Sequence, residues 1–259
     1  MGEQIEPRPA RNWWGPLWPL GEALRFLTIV PIGGLPPFTE GAIGRAIPLF
    51  PLAGGLIGAL LAGLGRLSGA LWDDWVRAAL IVVGWGLITA GLHLDGLSDT
   101  FDAVLSWRPR ERKLEIMKDS RIGAMGAIAL VAVLLLKLTF IHSAGAGWLP
   151  AVALAPVLGR WADTYGIFWF PPALGGGLGR DFQSQVGWRG FALSSAITLA
   201  LALALGGARG LIALALVWVV AQALGMWWTR DLGGLTGDTY GALCELAEVV
   251  ALAAMSATL

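Results

Sequence analysis

The stretch that decides the fold is VRAALIVVGWGLITAGLHLDGLSDTFD, at positions 76–102. It begins as an apolar run over 76–97, and about 20 mostly apolar residues in one helix cross a bilayer core. It ends on the carboxylates of Asp95, Asp99 and Asp102. Charged groups beside a membrane span are costly unless they pair or line an aqueous site. The stretch therefore predicts a transmembrane helix with an acidic site at its edge.

The composition of the whole chain also indicates a membrane protein. Of its 259 residues, 56% are hydrophobic and 14% are charged, whereas about 25% of residues are charged in soluble domains. The 37 glycines and 14 tryptophans agree with this, because glycine lets transmembrane helices pack closely and tryptophan favours the lipid interface. The formal net charge of zero argues against nucleic acid as a partner.

Seven apolar stretches are candidate spans, but one of them is short, so we expect about seven spans within a range of six to eight. The expected fold class is an all-α, polytopic transmembrane helix bundle in which 1–259 form a single integral membrane domain. A cytoplasmic or interfacial segment is expected at 1–45, and a cytoplasmic amphipathic loop helix at 103–121. The predicted spans are 47–67, 76–97, 122–141, 148–170, 190–205, 211–228 and 240–258.

The positive charges predict the orientation of these spans, because lysine and arginine collect in cytoplasmic loops. With a cytoplasmic amino terminus and seven spans, the opposite face holds only Arg66, Arg77 and Arg209. We therefore expect a multi-pass protein of the bacterial inner membrane whose acidic site faces the cytoplasm. The cytoplasmic charges are then Arg8, Arg11, Arg25, Arg45, the run 108–121, Arg180, Arg189 and Arg230.

The acidic site has a helical spacing. Asp95, Asp99 and Asp102 stand at i, i+4 and i+7, which places their carboxylates on one stripe of a helix. Three like charges on one stripe repel one another, and a bound cation relieves that repulsion. Hard oxygen ligands favour magnesium or manganese over zinc. The alternative is a solvated helix end whose acidic side chains lie in water.

A second acidic group follows in ERKLEIMKDSRIG, at 111–123. Glu111, Glu115 and Asp119 repeat every four residues, so a helix here would carry them on one face. The segment could fold back to bring Asp119 to a shared metal, with Lys118 and Arg121 holding phosphate oxygens. A solvated interfacial helix is the competing interpretation.

Two further groups lie near other spans. Arg160 and Asp163 are three residues apart inside the fourth predicted span, where an intrahelical ion pair is the simple explanation. Asp238 can cap the last helix, whereas Glu245 and Glu248 lie deeper in that span and are expected to face the bundle interior.

Three further residues, His93, His142 and Cys244, bear on a metal site or a disulfide. His142 is expected to be structural, while His93, two residues before Asp95, stays open between a structural residue and a ligand. Cys244 is the single cysteine, which excludes an intrachain disulfide.

The central segment GLHLDGLSDTFDAVLSWRPRERKLEIMKDSRIGAMGAIAL closely resembles the signature of the cobalamin synthase family, the adenosylcobinamide-GDP ribazoletransferases. Three other segments support the resemblance: FLTIVP from Phe26, PVLGRWA around Arg160, and TGDTYGALCELAEV near the carboxyl end. The resemblance covers about 26–250, nearly the whole chain.

The resemblance implies a reaction in cobalamin biosynthesis. A hydroxyl of α-ribazole or of its 5′-phosphate attacks the cobinamide-linked phosphorus of adenosylcobinamide-GDP, and GMP leaves. It also implies Mg²⁺ as the cofactor, for which the expected catalytic and metal-binding residues are Asp95, Asp99, Asp102 and Asp119. The lipid bilayer is the remaining expected partner, and the sequence leaves a homo-oligomer open. The residues expected to bind substrate or phosphate are Lys118, Arg121, Arg160, Asp238 and Glu245.

Other functions compete with this one. An ion-coupled transporter would also place carboxylates in a membrane, but it predicts two related halves with interrupted helices, and the sequence shows no convincing internal repeat. A CDP-alcohol phosphotransferase likewise gathers aspartates at a membrane edge. The chain has the Asp95-Gly96 pair of that pattern but not the Ala-Arg pair at the required spacing. A purely structural membrane protein is the remaining alternative.

Overall fold

The computed structural model describes residues 14–35, 40–173 and 186–258. Arg8, Arg11 and Arg180, which entered the predicted orientation, lie outside these residues. The described part of the chain is helical and contains no strand, which confirms the all-α class. Its α-helices are α1 (Trp18–Leu27), α2 (Glu40–Ala46), α3 (Phe50–Gly69), α4 (Asp74–Ile88), α5 (Leu92–Val104), α6 (Arg110–Ile116), α7 (Ala124–Ser143), α8 (Trp148–Trp169), α9 (Trp188–Leu232) and α10 (Gly237–Ser256).

Helix α8 is the centre of the bundle. It packs against α3, α7, α9 and α10, and its residues from Ala151 to Ile167 are buried apart from Ala153, which is partly exposed. Small residues on α3 allow the closest of these contacts: a Cβ on Gly54 or Gly58 would overlap the α8 backbone at Pro156 or Ala153. A face of small residues therefore acts as a packing seam between two helices.

Four helical segments are long and apolar enough to cross a membrane: Ala42–Gly69, Ala124–Ser143, Trp188–Leu232 and Gly237–Ser256. A fifth exists if α4 and α5 together form one bent span. The expected count of about seven is therefore not confirmed. Helix α8 forms where the span 148–170 was predicted, but Arg160 and Asp163 lower its apolar character, and it is not among the candidate spans.

The predicted span 76–97 is wrong as a single straight helix. Helix α4 ends at Ile88, α5 begins at Leu92, and the two axes differ by 88°. Ala90 and Gly91, between them, have φ values of 53° and 66°. This left-handed backbone cannot continue a right-handed helix. The acidic motif therefore lies on a separate helix that turns away from α4.

Helix α9 is a hairpin of two arms. Tyr165 on α8 donates a hydrogen bond to Gln222 (2.5 Å), and its ring lies 6.2 Å from that of Phe191. A straight helix would separate positions 191 and 222 by about 46 Å. The chain reverses at Gly207, whose φ of 56° and ψ of −136° are not helical. The arms correspond to the predicted spans 190–205 and 211–228.

The expected loop helix at 103–121 is shorter than predicted. Residues 103–104 complete α5, Trp107 has a φ of 53°, and only Arg110–Ile116 is helical. Lys113 in α6 forms a 2.6 Å ion pair with Asp231 at the end of α9.

In the amino-terminal segment, α1 buries Ala23 and Leu27, so this part joins the core.

Candidate active site at the crossing of α5 and α10

Two glycines let α5 and α10 cross at close range. A Cβ on Gly96 would lie 3.0 Å from the Cα of Asp238, and a Cβ on Gly241 would lie 3.2 Å from the Cα of His93. A Cβ on Gly96 would also overlap the carbonyl oxygen of Asp238, at 2.7 Å, and one on Gly241 would crowd α5, so small residues at both positions permit the close crossing. It brings Asp95, next to Gly96, beside the first turn of α10.

Five carboxylates gather around this crossing. Asp99 is half-buried and lies in the electrostatic field of four others, those of Asp95, Asp102, Asp119 and Asp238. Asp95 is exposed. Within the described part of the chain, neither Asp95 nor Asp99 has a hydrogen-bond or ion-pair partner. The structure thus brings the sequence-predicted aspartates within electrostatic range of one another and adds Asp238 to them.

Asp102 has a structural partner that the sequence did not indicate. One of its carboxylate oxygens accepts a hydrogen bond from Gly123 N at 2.7 Å, and the other accepts one from Gly126 N at 2.9 Å. These two amides lie at the amino-terminal end of α7, where backbone N–H groups have no hydrogen-bond partner within the helix. The negative charge also opposes the positive end of the helix dipole. Asp102 therefore ties α5 to the start of α7.

The loop after α6 holds the predicted phosphate-binding residues near the surface. Helix α6 ends at Ile116, so Asp119 does not continue the helical face of Glu111 and Glu115. Instead, Arg121 donates hydrogen bonds to both oxygens of Asp119, at 2.9 and 2.6 Å. These bonds lower the pKa of Asp119 to about 2. Lys118 is exposed, and 87% of the Arg121 side chain is exposed.

A second ionic group lies inside the bundle, fully enclosed by protein. Lys137 on α7 contacts Glu245 (2.7 Å) and Glu248 on α10. Glu248 also pairs with Arg160 on α8. The glutamates face the interior as expected, and Arg160 forms its ion pair with Glu248 rather than with Asp163. Arg160 and Glu245, predicted to bind substrate, are thus engaged in this network.

His93 and Asp163 extend the network toward the crossing. His93 Nε2 lies 3.5 Å from Asp163 Oδ2, and His93 Nδ1 lies 3.4 Å from an Arg160 nitrogen. Ligand atoms of His93, Asp163 and Cys244 lie within 4.8 Å of one another, as a metal site would require. The guanidinium of Arg160 beside His93 opposes a cation there. The carboxylates around Asp99 therefore suit a metal ion better.

A cavity of about 220 Å³ joins the two groups. Asp95 and Asp238 of the carboxylate cluster line this cavity, and so do His93 and Asp163 of the buried network. Its apolar lining includes Phe26, Leu27, Phe50 and Ile167, and Tyr240 completes the polar part.

The sequence alone did not indicate Lys137, Tyr240 or the contact of Asp163 with His93. A lysine in the otherwise apolar segment 124–143 was a usable signal, since an ionisable group inside a span needs a partner there. The three-residue spacing of Arg160 and Asp163 predicts a local ion pair and gives no sign of a contact with His93. Tyr240 carries no local signal, because only the packing of α10 against α5 and α8 shows its place.

Comparison with known proteins identifies the family. The pattern of the cobalamin-5-phosphate synthase family matches residues 19–256. A protein of Roseiflexus named adenosylcobinamide-GDP ribazoletransferase is 67% identical over 96% of this chain and 93% of its own length. A protein of the same name from Herpetosiphon aurantiacus is 52% identical over 92% of this chain and 96% of its own length. Another, from Desulforamulus reducens, is 40% identical over 87% of this chain and 91% of its own length.

No solved structure gives a significant match. The family match covers far more than half of the chain, and it includes the acidic motif, the buried network and both helices of the crossing. The resemblance seen in the sequence is confirmed, and the chain belongs to the cobalamin-5-phosphate synthase family.

Proposed function

We propose that the protein is a magnesium-dependent adenosylcobinamide-GDP ribazoletransferase. It joins α-ribazole or α-ribazole 5′-phosphate to adenosylcobinamide-GDP, releases GMP, and gives adenosylcobalamin or its 5′-phosphate. The named relatives support the reaction. The observation that carries the site assignment is the gathering of Asp95, Asp99 and Asp238 where α5 crosses α10.

The carboxylate cluster fits a hard divalent cation. Asp95 and Asp99 carry oxygens that no described protein group engages, and their mutual repulsion favours a cation between them. Asp102 accepts two backbone hydrogen bonds, which leaves about half of its lone-pair positions for a ligand. Asp119 can join the ion when its contacts to Arg121 open. We propose these four aspartates as the metal ligands.

Phosphoryl transfer needs positioning and charge neutralisation more than covalent help. Magnesium held by these aspartates would supply charge neutralisation for the diphosphate of the substrate. The exposed side chains of Lys118 and Arg121 lie on the loop beside the cluster and can hold phosphate oxygens. The network of Lys137, Glu245 and Arg160 keeps α7, α8 and α10 in register beneath the crossing.

The direct test is GMP release by the purified protein in detergent. Adenosylcobinamide-GDP, α-ribazole 5′-phosphate and magnesium should together give GMP and a cobalamin product. Leaving out the nucleoside acceptor should abolish GMP release, which separates transfer from hydrolysis. Absence of GMP with all components present would contradict the proposal. A CDP-alcohol in place of adenosylcobinamide-GDP should give no product.

We further propose that the site faces the cytoplasm from the bacterial inner membrane. Cys244 is buried, so it gives little background in cysteine labelling. A membrane-impermeant thiol reagent should label Ala146→Cys, at an exposed position between α7 and α8, in intact spheroplasts. It should label Trp107→Cys only after the membrane is opened. Trp107 is 96% exposed in the loop that follows α5. Labelling of Trp107→Cys in intact spheroplasts would place the loop outside.

A further inference from the structure

The cavity at the crossing contains polar atoms that the protein leaves unpaired. Asp163 is 3% exposed and uses Oδ2 toward His93, whereas its Oδ1 has no hydrogen-bond partner among the described residues. Tyr240 is 5% exposed, and its hydroxyl likewise has none. Both residues line the cavity. Burying a polar atom without a hydrogen bond costs free energy. We therefore expect a bound molecule to supply hydrogen-bonding groups to these two atoms inside the cavity.

The charges of the cavity select the kind of molecule that enters. Three carboxylates line it, those of Asp95, Asp163 and Asp238, and its described lining contains no lysine or arginine. Such a wall repels a phosphate group and accepts hydroxyl groups. It therefore suits the uncharged part of a nucleoside better than the diphosphate of the second substrate.

The apolar wall suits an aromatic ring. Phe26 and Phe50 line one side, with their rings stacked at a centroid distance of 6.1 Å, and Ile167 lies on α8. Binding sites for small molecules combine apolar walls with a few placed polar groups. A lipid chain could fill the apolar part, but it could not pair with Asp163 Oδ1 or with the Tyr240 hydroxyl.

We propose that this cavity binds the nucleoside acceptor of the reaction, with its aromatic base against Phe26 and Phe50 and its ribose hydroxyls at Asp163 and Tyr240. A hydroxyl donates a hydrogen bond to Asp163 Oδ1, and the Tyr240 hydroxyl donates to a ribose oxygen. Asp95 and Asp238 line the same cavity, so the bound nucleoside lies beside the carboxylate cluster. This inference rests on the proposed function, because it supplies the acceptor.

Tyr240→Phe is the sharpest test. It removes a hydroxyl without a described partner and keeps the ring, so folding should be unaffected. The affinity for α-ribazole, measured by titration calorimetry on the full chain in detergent, should fall by about 3- to 10-fold. Asp163→Asn should cause a similar or larger loss. The affinity for adenosylcobinamide-GDP with magnesium should stay within twofold in both variants.

Tyr165→Phe is the matched control. Its hydroxyl donates to Gln222 on the far side of α8, away from the cavity lining. This variant should lose stability but keep its affinity for α-ribazole. Equal losses of α-ribazole affinity in Tyr165→Phe and Tyr240→Phe would show a general effect of tyrosine removal and would overturn the assignment.

Three other results would also overturn it. Unchanged α-ribazole affinity in both cavity variants would place the acceptor outside this cavity. Weaker binding of adenosylcobinamide-GDP instead would assign the cavity to the other substrate. A parent protein that does not bind α-ribazole has no acceptor site. Failure of the proposed function can be told apart from failure of this cavity assignment. In the former case the parent protein would release no GMP in the presence of both substrates.

Discussion

Asp102 and Gly126 are joined by a 2.9 Å hydrogen bond from the amide of Gly126 to Asp102 Oδ1, and the same carboxylate also accepts from Gly123. A Cβ on Gly126 would overlap the Asp102 carboxylate. The Asp102 carboxylate therefore caps α7. It fits there because Gly126 has no side chain to fill the same space. An aspartate in the acidic motif thus has a structural role that its neighbour Asp99 lacks.

This difference predicts that Asp102→Asn is less stable than Asp99→Asn. The asparagine amide cannot accept from both backbone amides at once, so the variant should lose about 1–2 kcal/mol of unfolding free energy, as for other lost helix caps. Asp99→Asn should stay close to the parent, since no described protein group pairs with its carboxylate. Unfolding by SDS titration in detergent micelles measures both. Equal stability of the two variants would remove the capping role.

Lys137 is predicted to be essential for stability. It is 3% exposed and contacts both Glu245 and Glu248. Lys137→Met leaves Glu245 without a described ion-pair partner in the interior and leaves Glu248 with Arg160 alone, which should cost about 3–5 kcal/mol.

Two further variants test the same prediction about Lys137. Combining Lys137→Met with Glu245→Gln should recover part of the loss, because the charge that lost its partner is then removed. Exposed Lys118→Met is the control and should be nearly neutral. If the double variant is no more stable than Lys137→Met, the loss comes from packing rather than charge.

The sequence was informative about the acidic motif because its signal is local. The four- and three-residue spacings of Asp95, Asp99 and Asp102 are those of one helix face, and α5 contains all three. The break before α5 could not be predicted, since Ala90 adopts a positive φ without any sequence signature for it.

The contacts that complete the site join distant parts of the chain. Lys137 and Glu245 are 108 residues apart, and Asp102 and Gly126 are 24 apart. One sequence does not show which of several distant charges will meet. The approach of Asp238 to α5 likewise depends on the small size of Gly96 and Gly241, whose importance is visible only once the helices cross.

Arg121 is predicted to control the ionisation of Asp119. Because the pKa of this carboxyl is lowered to about 2 in the folded protein, against about 3.9 in an unfolded chain, the pairing stabilises the fold above pH 4. That contribution disappears as the pH falls through the folded pKa. Arg121→Ala should return the Asp119 pKa to near 4, as measured by NMR titration of labelled aspartate carboxyls. Arg108→Ala, in the segment before α6, should leave the Asp119 pKa unchanged. A pKa still near 2 in Arg121→Ala would contradict the pairing.

Gly207 is predicted to be required for the reversal of α9. Its backbone conformation is strained for any residue with a Cβ, so Gly207→Ala should cost about 1–3 kcal/mol. Gly63 provides the comparison, because a Cβ there meets nothing within 4 Å and Gly63 lies inside α3. Gly63→Ala should be neutral or stabilising. Similar unfolding free energies for the two alanine variants would argue against a reversal that needs glycine.

The central claim is that the carboxylates of α5 hold magnesium for transfer. The measurement that tests it most directly is the rate of GMP release against magnesium concentration for Asp99→Asn and Glu111→Gln. Glu111 is the control because 78% of its side chain is exposed on α6. Asp99→Asn should lose about 100-fold or more in rate and recover partly at high magnesium, while Glu111→Gln stays within twofold of the parent. Parent-like GMP release by Asp99→Asn at low magnesium would contradict the account.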